Sequence, residues 1–148
     1  MMREILFRGK RCDNGEWAQG YYIRADYHWH KYGIHKDWIA LGASANGGWF
    51  ALHSKCAVKP ETVGQYTGLT DKNGKKIFEG DMLKDDWGKI FEVIFTTSSC
   101  GFMVECIIAP SEFETGRYRI GDVWCNTISV IGNIYDNPEL LKGDNVEV

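Results

Sequence analysis

Apolar and polar positions alternate with a period of two over several short stretches, and this pattern predicts a protein built mainly of β-strands. The clearest stretch is 89–96, where Phe91, Val93 and Phe95 share one face. Phe102, Val104, Cys106 and Ile108 repeat the alternation over 101–108. With Thr96-Thr97-Ser98-Ser99-Cys100-Gly101 between them, the two runs predict a hairpin. Residues 17–24, 37–42 and 49–53 are short, aromatic or β-branched, and bounded by Gly, Asn and charge clusters, so each reads as a further strand. Another strand is expected over 126–135, carrying Ile128, Val130 and Ile134, with a bulge or bend at Gly132.

Turn chemistry punctuates these strands. Asp13-Asn14-Gly15 and Asp71-Lys72-Asn73-Gly74 each place Asn-Gly where a positive φ is needed, so each predicts a chain reversal. Helical pattern is scarce. Asn137 as N-cap, Pro138 at the first helical position, Glu139 in the first turn and Gly143 beyond the end predict a short C-terminal helix. Its apolar residues, Leu140 and Leu141, are too few for a free helix, so it must dock. Ser111-Glu112-Phe113-Glu114 is a candidate for one more turn. The expected fold is mainly β and a single domain of two lobes: an aromatic N-terminal lobe over about 1–60, a barrel-like lobe over about 61–136, and the helix and tail over 137–148, with Pro60 as the joint.

Composition narrows the class without choosing a function. The 148 residues suffice for one domain, and 44% hydrophobic with 25% charged residues is ordinary globular composition. Six Trp and seven Tyr make the chain rich in flat side chains, which suit strands and binding surfaces. Net charge is −3, so no global field draws a polyanion. No run approaches the roughly 18 uninterrupted apolar residues of a membrane span, and Met1-Met2-Arg3-Glu4-Ile5 lacks a signal-peptide core, so a cytoplasmic location with no membrane partner is expected. Five cysteines, odd in number and without a C-x-x-C pair, predict free thiols.

Residues 58–81 read VKPETVGQYTGLTDKNGKKIFEGD, a string that resembles the signature of the YopX family. The opening Met2–Lys10 and the closing Val130–Leu141 are similar to that family's ends. The resemblance implies a β-rich fold with a small barrel-like unit, an oligomer, and a phage or prophage origin in a bacterial host. It supplies no catalytic residue. The matched Gln65, Tyr66, Gly68, Leu69, Asp71, Gly74, Glu79, Gly80 and Asp81 are therefore read for their physics. Ile77 and Phe78 are natural core plugs, and Glu79-Gly80-Asp81 before Met82-Leu83 reads as a tight turn entering a strand, as at the start of SH3-like barrels. The alternative for Glu79 and Asp81 is a carboxylate pair for acid–base work, although no His or metal motif lies nearby.

Candidate chemistry concentrates in 21–38. His28 and His30, at i and i+2 of a strand, could share a transition metal, with His35, Asp37, or His53 and Cys56 completing a site for a metal-dependent hydrolase. The paired, tightly spaced ligands of a structural zinc site are absent, and exposed histidines in an aromatic loop are the plainer reading, so no cofactor is expected. Tyr21, Tyr22, Tyr27, Trp29, Tyr32 and Trp38 are interleaved with Arg24, Lys31 and Lys36. Aromatic platforms beside cations can stack single-stranded bases, and the same residue types favour protein interfaces. No nucleophile elbow or phosphate-binding glycine loop is present. The leading expectation is a non-enzymatic interaction module that self-associates and binds a phage or host protein through Arg24, Tyr27, Trp29, Lys31, Tyr32 and Trp38; the runner-up is single-stranded nucleic-acid binding by the 21–38 segment.

Overall fold

A computed structural model describes residues 2–27, 34–46, 49–109 and 116–142. The chain divides into two compact units, Met1–Gln65 and Tyr66–Val148. Both are antiparallel β structures.

In the first unit, β1 (Phe7–Lys10), β2 (Trp17–Tyr27), β3 (Ile34–Asn46) and β4 (Trp49–Ala57) lie side by side in the order β4-β3-β2-β1. The start of β5 (Gly64–Thr70) pairs with β1. The predicted reversal at Asp13-Asn14-Gly15 joins β1 to β2, with Gly15 at φ +74° and its N–H donating to the Arg11 carbonyl. One face of the sheet is apolar because Ala18, Ile39 and Val58 are buried there, with Phe7, Tyr22, Cys56 and Val63 packed around them. Asp37 is buried on this inner side, where the Tyr22 hydroxyl donates to its Oδ1.

The second unit continues β5 into a pairing with β6 (Lys76–Phe78) and holds an open sheet in the order β10-β9-β8-β7-β11. These strands are β7 (Asp81–Asp85), β8 (Ile90–Thr96), β9 (Gly101–Ile108), β10 (Arg117–Arg119) and β11 (Ile128–Asn133). The expected hairpin forms: Phe91, Val93 and Phe95 stand opposite Cys106, Val104 and Phe102. Ile77, Leu83, Phe91, Val93, Val104, Cys106, Cys125 and Ile128 form the core on that side. The bulge expected at Gly132 is present as a register shift between Val130 and Gly132. All five cysteines are free thiols.

Two expectations are corrected. The sheet does not close into a barrel among the described residues. Its edge strands, β10 and β11, do not pair, and β10 has only three residues, all exposed. The C-terminal helix is also absent: Pro138–Lys142 is a 3-10 stretch with no buried residue. Asn137 does not cap it, because its Oδ1 turns back to accept the Asn133 N–H at 3.3 Å, while the Leu140 N–H donates to the Asn137 carbonyl in the i to i+3 pattern. The one α-helix among the described residues is a single turn, α1 (Asp122–Cys125). The turn considered at Ser111–Glu114 lies outside the described residues.

One turn occurs twice. At Asp71-Lys72-Asn73-Gly74-Lys75, Asp71 Oδ1 accepts the N–H groups of Asn73 and Lys75, both at 2.9 Å. At Asp85-Asp86-Trp87-Gly88-Lys89, Asp85 Oδ1 accepts those of Trp87 and Lys89 at 3.0 and 2.8 Å. In both the fourth residue is a glycine in the left-handed region, at φ +79° and +89°. An ion pair between Lys72 Nζ and Asp86 Oδ1, 2.6 Å apart, ties one turn to the other. A Cβ at position 74 would meet no other atom, so only the backbone angle opposes a side chain there. Gly74→Ala should therefore cost about 1 kcal/mol, from the left-handed backbone alone. Chemical denaturation checks this, and an unchanged midpoint would show that the turn relaxes to another type.

Candidate functional site

The outer face of the first unit carries its most distinctive chemistry. Strand alternation places Arg8 and Lys10 of β1, Trp17, Gln19, Tyr21 and Ile23 of β2, Lys36 and Trp38 of β3 and Lys55 of β4 on the side away from the apolar core. Trp17 and Trp38 are each flanked by two cations. The Arg8 guanidinium lies 4.6 Å and Lys10 Nζ 5.6 Å from the Trp17 ring centre. Lys55 Nζ lies 5.0 Å and Lys36 Nζ 5.8 Å from that of Trp38. Asp37 is the one carboxylate among the described side chains of β1–β4, and it faces the core. Tyr21 is 58% exposed and carries no cation on its ring among the described contacts.

The sequence-derived candidates separate on this frame. Trp38 is on the outer face, half-buried between its lysines. Arg24 stands opposite Asp37 in the ladder, on the other side of β2 from Tyr21. Tyr27 pairs with Ile34 at the far end of β2 and β3. His28, Trp29, His30, Lys31 and Tyr32 lie outside the described residues. His53 pairs with Gly42, and Cys56 is half-buried beside Ile39, its thiol 3.7 Å from the Ile39 carbonyl. Among the described residues no group of three His, Cys, Asp or Glu is placed to hold a metal. Burial, and then the hydrogen bond and charge of Asp37, push the Tyr22 phenol above its usual value, so it stays a neutral donor at neutral pH.

The other residues matched to the family make contacts within the fold. Gln65 pairs with Phe7. Tyr66 is buried against Phe78, ring centres 5.5 Å apart, with Lys76 Nζ 4.8 Å from its ring. Gly68 and Gly80 hold positive φ angles of +91° and +83°. Asp81 closes the turn at Glu79-Gly80, accepting the Phe78 N–H on Oδ2 at 2.7 Å, and is 1% exposed. Glu79 is half-buried. Asp71 Oδ2 reaches across to accept the Val130 N–H at 2.9 Å, and the Gly80 carbonyl accepts the Ile134 N–H at 3.0 Å. The central and C-terminal signature strings thus meet through turn-to-strand bonds.

The second unit has its own clefts, which the sequence pattern does not announce. A cleft of about 210 Å³ is lined by Glu79, Glu92, Phe95 and Tyr135 among others. Glu92 stands directly opposite Glu105, and burial, then the Glu105 charge, raise its carboxyl above the ordinary value. A larger cleft of about 360 Å³ opens over Phe91.

The family model described as "YopX protein" matches residues 6–142. The chain belongs to the YopX family. Among solved structures, the crystal structure of protein EF1440 from Enterococcus faecalis is similar to this YopX chain at 24% identity, with a TM-score of 0.58, covering 95% of this chain and 99% of that one. That likeness is one of fold. No curated protein matches. No described helix of this YopX protein is long and apolar enough to cross a membrane.

Proposed function

We propose that the protein is a non-enzymatic interaction module that self-associates, with the outer face of β1–β4 of one copy seated on the acidic second unit of another. The observation that carries this reading is the segregation of charge. Residues 1–65 hold nine basic and six acidic residues, whereas residues 66–148 hold eight basic and fourteen acidic. The basic excess gathers on one sheet face, and the cleft lined by Glu79 and Glu92 offers a negative, partly apolar counterpart with Phe95 47% exposed beside it. A lysine from a second copy entering there would relieve the repulsion between Glu92 and Glu105. Such a head-to-tail contact is heterologous, so it builds rings or chains rather than a two-fold dimer.

The same face could attract single-stranded nucleic acid, but its rings are poorly prepared for that. Both Trp17 and Trp38 already carry cations on or beside their faces, so a base would have to displace a favourable contact worth about 0.5–1 kcal/mol before stacking. Among the described rings of this face Tyr21 alone stands open, and single-strand sites of about 4–16 nucleotides draw on several platforms. An acidic protein surface needs only the outward N–H groups of the exposed Lys36 and Lys55, while Arg8 is buried beside Trp17.

Light scattering across salt concentration tests the reading. Raising salt from about 0.01 to about 1 M shortens the Debye length from about 30 to about 3 Å. The expected result is a multiple of the 16.9 kDa chain mass at low salt that falls toward a single chain at high salt. Lys36→Glu with Lys55→Glu should lower it at low salt too. A monomer throughout overturns the proposal, and a labelled single strand that binds the monomer and is lost in the double variant would move the assignment to nucleic acid.

A further inference from the structure

The larger cleft of the second unit has a built interior. Phe91, 3% exposed, forms its base. Trp124 stands at 90° to Phe91 with ring centres 4.8 Å apart, and Tyr118 at 84° and 6.3 Å. Two flat rings therefore border one opening, each roughly perpendicular to the ring beneath. Trp87, 65% exposed, stands at the rim. Cations sit on the same lining: Lys89 from the β7–β8 turn and the exposed Arg119 from β10. Asp85, the one carboxylate lining it among the described residues, is 6% exposed, and its Oδ1 accepts the Trp87 and Lys89 N–H groups, which fix its place.

We infer that this cleft binds a nucleoside monophosphate, with the base between the rings of Tyr118 and Trp124, a base N–H on Asp85 and the phosphate on Arg119 and Lys89. The chemistry selects this class from the alternatives. A neutral apolar ligand would gain nothing from the two cations, and an inorganic anion would leave the rings unused. At about 360 Å³ the cleft lies at the small end of ligand sites, which run from about 300 to 1,000 Å³, so it suits one ring system with one charged group. The rings come from a strand edge and a single helical turn, while Asp85 and Lys89 come from one tight turn, so the tip of β7–β8 brings acceptor and cation to the ring walls together.

Isothermal titration of the full chain with the four common ribonucleoside monophosphates tests this, alongside tryptophan fluorescence. The expected result is saturable one-to-one binding of at least one of them, with quenching lost on Trp87→Phe or Trp124→Phe. The parent nucleoside should bind about tenfold more weakly or worse, since a charge-assisted contact is lost. Arg119→Ala should weaken binding by about tenfold, and Tyr118→Ala should do so as well; both residues are exposed, and an unchanged thermal melt will show that each variant folds. A 5′-phosphorylated short single strand that displaces the monophosphate identifies a strand end as the source, and failure to displace it identifies the free nucleotide. Absence of saturable binding by all four, or affinity unchanged in both folded variants, overturns the assignment.

Discussion

Replacing Asp71 by Ala should destabilise the protein by about 3–4 kcal/mol, because three backbone N–H groups lose a charged acceptor at once. Asp71 is 6% exposed and serves Asn73 and Lys75 within its turn and Val130 on β11. Asp85 makes the same two bonds in its own turn, with no third bond to a distant strand among the described contacts. Asp85→Ala should therefore cost less, about 1–2 kcal/mol, and the difference isolates the Val130 bond. Asp71→Asn keeps an oxygen without the charge and should fall between. The pH dependence follows the same logic. Burial raises the Asp71 carboxyl, but the Val130, Lys75 and Asn73 N–H groups together outweigh it and hold the group below its ordinary value. A depressed carboxyl contributes fully above its unfolded value of about 4 and loses that contribution as pH falls through the folded value. Denaturation midpoints taken from neutral to acidic pH should drop below about pH 4, and Asp71→Asn should flatten that drop. Equal costs for Asp71→Ala and Asp85→Ala would mean the Val130 bond contributes nothing.

That pairing of turns also marks how far the sequence could be read. Asn73-Gly74 announces its turn because the glycine follows a residue that tolerates positive φ. Trp87-Gly88 carries no such cue, yet Asp85 and Gly88 at the same spacing build the same turn. The shared signal is Asp, two free positions, Gly and Lys, which is visible only when the two strings are laid together. The hairpin of β8 and β9 was legible over residues 91–95 because alternation fixes which residues face the core, and a one-residue slip would expose Phe91 and Val93. The register shift between Ile90 and Phe91 had no signal in the alternation. By contrast β6 and β10 have three residues each, too few for any period to register, and β1 has four, of which one is a glycine.

The candidate surfaces were legible in residue type but not in place. Aromatic and basic residues in 21–38 pointed toward an interaction face, whereas the clustered cations come from three strands, β1, β3 and β4, including Arg8, Lys10 and Lys55 from outside that window. Alternation alone would have separated Arg24 from Trp38 once the β2–β3 register was known, but register depends on a connection whose length the sequence pattern does not define. The aromatic cleft could not have been found that way, since Trp87, Phe91, Tyr118 and Trp124 share no period and meet through the packing of two edge elements around Phe91.

Truncating β6 should produce the other large effect. Ile77 and Phe78 are adjacent on a three-residue strand, so they point to opposite sides, and both are essentially inaccessible at 0% and 1% exposure. Ile77 enters the cluster with Leu83, Phe91 and Ile128, while Phe78 meets Tyr66. Ile77→Ala should cost about 2–5 kcal/mol and Phe78→Ala about 3–5 kcal/mol, from lost transfer energy plus the cavity left behind. The cavities should not collapse easily, because the backbone on either side is pinned. The Thr67 hydroxyl donates to the Ile77 carbonyl at 2.9 Å, and the Phe78 N–H donates to buried Asp81. A backbone so held cannot follow a shortened side chain inward, which argues for the upper half of each range. Guanidinium unfolding followed by tryptophan fluorescence gives the comparison: Trp124 packs against the cluster Ile77 enters. Either variant retaining parental stability would show that β6 lies outside the core.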